Sequence, residues 1–101
     1  MSKPDKVKVW EWSTGKQAHF HDTYWWDKTD LVDAELVQGC RWLADVLNGL
    51  RKNHDNIEVT INHKIVLFED SETFERWMGV SPNLNEALLA ACLKHMETKH
   101  E

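Results

Sequence analysis

Six tryptophans in 101 residues set the strongest limit on what this chain can fold into. They are Trp10, Trp12, Trp25, Trp26, Trp42 and Trp77, and two are adjacent in the run Thr23-Tyr24-Trp25-Trp26-Asp27. A domain of this size has a small interior, and tryptophan seldom loses all of its exposure even in a core. Part of the aromatic area is therefore expected at the surface, where Trp and Tyr are the residues that most often anchor partners. The pattern points to recognition before it points to catalysis.

One core is within reach of this length, so the expectation is a single compact domain over residues 1–101, with residues 1–5 as a flexible N-terminus. A composition of 42% hydrophobic and 29% charged residues excludes intrinsic disorder. The longest apolar runs, such as Ile65-Val66-Leu67-Phe68, fall well short of the roughly 20 residues of a membrane-spanning helix. Met1-Ser2-Lys3-Pro4-Asp5-Lys6 is charged and has no apolar leader core after it, which sets a cytoplasmic expectation with no membrane partner. Cys40 and Cys92 both fall in expected helices, and in a reducing compartment they read as buried thiols, not a disulfide.

The formal net charge is −5. Lys and Arg are scattered, whereas acids gather at Asp27, Asp30, Asp33 and Glu35 and again at Glu69, Asp70, Glu72 and Glu75. Without a basic face, direct nucleic-acid binding is not expected. An acidic chain suits a basic surface on a protein or nucleoprotein complex, although acidity also serves solubility alone.

Local patterns build an α+β expectation. Residues 6–12 alternate polar and apolar, with a phase slip at Val9-Trp10, and read as a bulged strand. Ser13-Thr14-Gly15-Lys16 reads as a turn, and residues 17–21 as the returning strand. Thr29 or Asp30 caps the longest expected helix, with Asp33 and Glu35 at its positive end and Leu36, Cys40, Leu43, Leu47 and Leu50 along its apolar stripe. Ile57, Val59 and Ile61 alternate with Glu58, Thr60 and Asn62 as a half-buried strand. Asn62-His63-Lys64 reverses it into Ile65–Phe68, whose two apolar sides suit a central strand or a face covered by a partner. Asp70 or Ser71 caps a short helix carrying Phe74, Trp77 and Met78 and ended by Gly79. A final helix follows Ser81-Pro82 or Asn83, with Leu84, Ala87, Leu88, Ala91, Cys92 and His95 on one face. The sum is an antiparallel sheet of about four strands in two hairpins, with one long and two shorter helices mainly on one side.

Chemistry-bearing motifs are sparse. His19 and His21 point to one side of a strand, the geometry of two imidazole ligands, with Asp22, Asp27 or His63 as a third. The same alternation fits hydrogen-bonded histidines on an exposed strand. Neither cysteine lies in a nucleophile motif, Ser13, Ser71 and Ser81 sit at turns or caps, and no glycine-rich phosphate loop is present. The acids at 69–75 read as a solvated helix start, not a catalytic pair. No catalytic residue and no cofactor are expected.

In size, acidity and lack of enzymatic signatures, the chain resembles small inhibitors and immunity proteins of bacterial and phage conflict systems, including anti-CRISPR proteins. The resemblance is one of general character and implies a non-enzymatic protein that occludes a surface of a larger macromolecule. On the residues, Tyr24, Trp25 and Trp26 supply anchoring area, and Asp22, Asp27 and Asp30 steer toward a basic partner. Two other readings stay open: a metal-binding protein or small metalloenzyme using His19, His21 and Asp22, and a homo-oligomeric structural subunit that self-associates through the aromatic patch.

Overall fold

Pro4 and Gly15 bracket a helix where the alternation of residues 6–12 suggests a strand. The computed structural model describes residues 3–28, 37–39 and 41–99, and its first helix, α1, runs Asp5–Thr14. Pro4 holds an extended conformation at φ −61°, ψ 155°, and its carbonyl accepts from the N–H groups of Val7 and Lys8 at 3.0 and 3.1 Å. Gly15, left-handed at φ 73°, closes the other end by donating its N–H to the Glu11 carbonyl. The slip at Val9-Trp10 is thus the mark of a 3.6-residue repeat, since Val7, Trp10 and Ser13 recur on a buried face. Lys3, within the stretch expected to be flexible, is paired with Glu11 at 2.7 Å.

After α1 come β1 (Ala18–His21), β2 (Tyr24–Asp27) and α2 (Trp42–Asn53), followed by β3 (Ile57–Asn62), β4 (Ile65–Asp70), β5 (Arg76–Val80) and α3 (Leu84–Lys99). The α+β class holds, with antiparallel pairing in a two-stranded sheet β1-β2 and a three-stranded sheet β3-β4-β5. The chain divides into two compact units, Met1–His54 and Asp55–Glu101. No helix of the described residues is long and apolar enough to cross a membrane.

In the first unit, α1 and α2 run side by side in the same direction. The Trp42 indole donates to the Lys6 carbonyl at 2.9 Å, and the Trp10 indole to Asp45 at 3.1 Å. One turn on, Gly49 meets Ser13: a Cβ on Gly49 would lie 2.5 Å from the Ser13 carbonyl oxygen. At the shared C-terminal end, Asn53 Nδ2 donates to the carbonyls of Ser13 and Thr14, both at 3.0 Å. His54 Nε2 lies 3.1 Å from the Trp12 carbonyl, and its ring stacks on Trp12 at 4.3 Å. Side chains of one helix end thus satisfy the carbonyls that the other helix leaves without intrahelical partners. Val7, Val9, Trp10, Val37, Trp42, Val46 and Leu50 form the interior.

In the second unit, β3 and β4 join through a tight turn at His63 (φ 48°). The helix α3 packs over β5 and β4. Its start is capped by Asn83, whose side-chain oxygen accepts the Asn85 N–H at 2.9 Å while its carbonyl accepts the Ala87 N–H at 3.0 Å. Val66, Phe68, Trp77, Ala87, Leu88, Ala91 and Cys92 are buried together, with His95 set edge-on to Trp77 at 4.4 Å.

Three expectations are corrected. The strand over residues 6–12 is α1, so β1 pairs forward with β2 instead of back across Gly15, and five strands in two sheets replace four in one. Residues 37–39 form a turn and α2 starts only at Trp42. Its buried face is Trp42, Val46, Gly49 and Leu50, because these meet α1, while Leu43 and Leu47 are half-buried. Thr29, Asp30, Asp33, Glu35, Leu36 and Cys40 lie outside the described residues. The short helix expected at 70–79 is a turn followed by β5. Asp70 accepts the N–H groups of Glu72 and Thr73 at 2.8 and 3.3 Å, folding the chain into a side-chain-capped turn. Phe74 then takes φ 61°, which breaks a helix, and it stands exposed. Gly79 does not end a helix: it lets α3 approach the sheet, since a Cβ there would collide with the Ala87 carbonyl.

Replacing glycine by alanine in an open helix position gains about 1 kcal/mol of helix propensity. At Gly49 the collision with Ser13 reverses the sign. Gly49→Ala is expected to destabilise the protein by about 1–3 kcal/mol through overpacking, read as a lower denaturant midpoint; an unchanged or higher midpoint contradicts the close crossing.

Candidate functional site

The hairpin β1–β2 turns through two residues, Asp22 and Thr23, both left-handed at φ 53° and 68°. Positive φ at both turn positions gives the twist that matches paired strands, and Asn-Gly or Asp-Gly usually supplies it. Asp22 suits the conformation, whereas the β-branched Thr23 is strained in it. The register pairs Ala18 with Asp27, His19 with Trp26, Phe20 with Trp25 and His21 with Tyr24. Directly opposed residues share a face, so His19, His21, Tyr24 and Trp26 lie on one side and Ala18, Phe20, Trp25 and Asp27 on the other.

Each face carries a ring pair. Phe20 and Trp25 meet across the strands at 5.3 Å, tilted by 56°, and Tyr24 meets Trp26 edge-on at 6.4 Å. The Trp26 indole donates to the His21 carbonyl at 2.9 Å, which fixes its ring against the hairpin. The base of the hairpin is held by Ala18 N–H to Glu11 at 2.9 Å, Lys28 N–H to the Gln17 carbonyl at 3.0 Å, and Val37 N–H to the Trp25 carbonyl at 2.9 Å. The far end stands in solvent: Phe20 is 42% and Tyr24 53% exposed, and His21, Asp22 and Thr23 are exposed with them.

The expected anchors are therefore brought together, in a specific arrangement. Tyr24 is exposed, and Trp25 and Trp26 are half-buried on opposite faces. Phe20 is a fourth ring that the tryptophan run does not announce, and its signal is the His-Phe-His alternation that sets it against Trp25. The expected steering acids do not form a cluster. Asp22 lies at the exposed turn, Asp27 is half-buried at the base and 3.7 Å from Lys16, and Asp30 is outside the described residues.

The histidines share a face as expected, but the structure does not complete a metal site from them. His21 Nε2 lies 3.8 Å from Asp22, and His19 Nδ1 is buried without a hydrogen-bond partner. Among the described residues no group of three or more His, Cys, Asp or Glu side chains is placed to hold a metal ion. His63 belongs to the β3–β4 turn of the second unit.

Elsewhere the polar groups have local work. Ser13 donates to the Trp10 carbonyl, Ser71 to the Asn56 carbonyl and Ser81 to Glu86. A cleft of about 240 Å³ between α1 and α2 is lined by Trp10, Thr14, Lys16, Asp45, Asn48 and Lys52, among others, and the Thr14 hydroxyl donates to the Trp10 carbonyl. Burial pushes the Cys92 thiol well above its ordinary value, so it stays protonated and unreactive at neutral pH. Compared with protein-family models, curated proteins and solved structures, the chain matches none.

Two outcomes follow from this geometry. Thr23→Gly removes a left-handed β-branched residue and is expected to stabilise the protein by about 1 kcal/mol; an unchanged or lower thermal midpoint contradicts the strained turn. Alkylation at pH 8 is expected to spare Cys92 in the native protein and to modify it on unfolding, read by peptide mass spectrometry. Because the folded thiol holds its proton more tightly than the unfolded one, its contribution to stability is complete below the ordinary pKa of 9.0 and is lost as pH rises above it.

Proposed function

We propose that this chain is a non-enzymatic protein-binding module of the cytoplasm that acts by occluding a surface of a larger macromolecule, with the β1–β2 hairpin as its contact. The single observation that carries the reading is the hairpin itself, two ring pairs held back to back on a strained turn and exposed at the far end. Aromatic side chains supply large contact area at low entropic cost, and strained backbone persists where the surrounding structure holds it and a function uses it. The ring contacts and the Trp26–His21 hydrogen bond order these side chains before binding, which lowers the cost of association.

The net charge of −5, with Asp22 at the turn, supports a protein or nucleoprotein partner whose contacted surface is basic. Charge then governs encounter and salt dependence, while the rings govern residence time. A hydrophobic contact centred on Phe20 and Tyr24 covers both faces of the hairpin in one test. Both are exposed, so truncating them leaves the interior intact.

Affinity purification from the native host after nuclease treatment, comparing wild type with Phe20→Ala/Tyr24→Ala, tests the reading. The expected result is one partner enriched by wild type and lost with the variant, whose circular dichroism is unchanged. With the purified partner, the double variant is expected to bind at least about 10-fold more weakly, chiefly through faster dissociation. Equal recovery by both proteins places the contact elsewhere and overturns the reading.

A further inference from the structure

The two sheets end in edges at β1, β2, β3 and β5, and these edges are treated differently. At β1, the Ala18 N–H is taken by Glu11 at 2.9 Å. At β2, the Trp25 carbonyl is taken by Val37 at 2.9 Å. At β5, Lys94 donates to the Met78 carbonyl at 2.7 Å, a lysine drawn along a strand edge. Among the described residues, nothing pairs with the outer edge of β3, which is six residues long and free of proline and glycine. An edge of that length and composition is a template for another strand.

The sequence of β3 says which strand. Ile57-Glu58-Val59-Thr60-Ile61 repeats its pattern when read backward about Val59. We propose that a second copy of this chain pairs with β3 antiparallel, about a two-fold axis at Val59, extending each three-stranded sheet into one of six. In that register Val59 meets Val59 of the second copy, Ile57 meets Ile61, and Glu58 meets Thr60. Every contact occurs twice, as a two-fold interface requires.

Neighbouring registers are worse. A shift by one residue sets apolar side chains opposite polar ones. An axis at Glu58 opposes two carboxylates, and an axis at Thr60 leaves Ile57 opposite the His63 turn. Burial supports the chosen register. The helix α3 packs mainly over β5 and β4, and exposure of the apolar face rises along β3: Ile57 is buried, Val59 half-buried and Ile61 43% exposed. Pairing brings the exposed Ile61 against Ile57 of the second copy. Charge agrees as well, because Glu58 already stands opposite Glu69 within its own sheet, and Glu69 is held by Arg76 at 3.1 Å. A neutral Thr60 is the neighbour that adds no further repulsion.

One strand pair is a small contact, so the dimer forms reversibly and depends on concentration. It uses residues of the second unit, none of which belongs to the hairpin. The test is sedimentation equilibrium of the full chain under reducing conditions, from micromolar to millimolar concentration, for wild type, Thr60→Lys and Thr60→Glu. Thr60 is exposed, so both variants keep the fold. Wild type is expected to dimerise, Thr60→Lys to tighten the dimer roughly three- to tenfold by facing Glu58 twice, and Thr60→Glu to weaken it by a similar factor. Phe20→Ala/Tyr24→Ala is expected to leave the constant unchanged. A wild type that stays monomeric overturns the proposal. So does a dimer insensitive to either Thr60 variant, and so does weakening by both, which marks an axis at Thr60 itself.

Discussion

The first unit depends on one close approach, the crossing of α1 and α2 at Ser13 and Gly49. A missing Cβ allows the two backbones to touch, and the other contacts of the pair are possible only at that separation. The indoles of Trp10 and Trp42 reach across to Asp45 and the Lys6 carbonyl. Asn53 and His54 reach the last carbonyls of α1. Parallel helices bring like dipole ends together, an unfavourable arrangement. Here the side chains at the end of α2 hydrogen-bond the carbonyls that make that end negative, which offsets part of the cost. The hairpin is tied to α1 of the same frame through Glu11, which accepts the Ala18 N–H.

Five of the six tryptophans divide into two roles, and the sixth, the half-buried Trp12, stacks on His54 where α1 and α2 end. Trp10, Trp42 and Trp77 are buried, and each donates its N–H to a partner within its own unit: Asp45, the Lys6 carbonyl and the Thr98 hydroxyl. Burying an indole without such a partner is costly, so these contacts fix the rings as well as filling the interior. Trp25 and Trp26 are half-buried on a hairpin that continues into solvent with Phe20 and Tyr24. The same residue type thus builds the interior in one place and a presentable surface in another, and burial separates the two, since the Trp26 indole also donates, to the His21 carbonyl.

Much of this was legible in the residues. Ile57–Asn62, the His63 turn and the following strand read correctly because strict alternation and a short polar break admit one interpretation. The final helix read correctly because Asn83 and a long apolar repeat mark it. The expectation that Ile65–Phe68 is central, or covered on a second face, fits its place between β3 and β5. Residues 6–12 misled because Lys6-Val7-Lys8-Val9 alternates for four residues before the helical repeat shows, and only Pro4 and Gly15 mark its true ends. Phe74, Trp77 and Met78 misled in the opposite sense: their spacing suits a helix, but Asp70 spends its carboxylate on a turn and Gly79 is needed for contact with α3. The first error is a short local period that hides a longer one, and the second combines a local side-chain turn at Asp70 with the tertiary contact at Gly79. At the candidate site, the tryptophan run marked the right segment, whereas Phe20 and the strained Asp22-Thr23 turn required the strand register.

The central claim is that the tryptophans separate into rings that build the two units and rings that the hairpin presents. The most direct measurement is fluorine NMR of protein labelled with 5-fluorotryptophan, with each signal assigned by a single Trp→Phe change, in ordinary and heavy water. Solvent-exposed fluorines shift between the two solvents and buried ones do not. The account predicts shifts for Trp25 and Trp26 and essentially none for Trp10, Trp42 and Trp77. Signals from Trp25 and Trp26 as protected as that of Trp10 would contradict it.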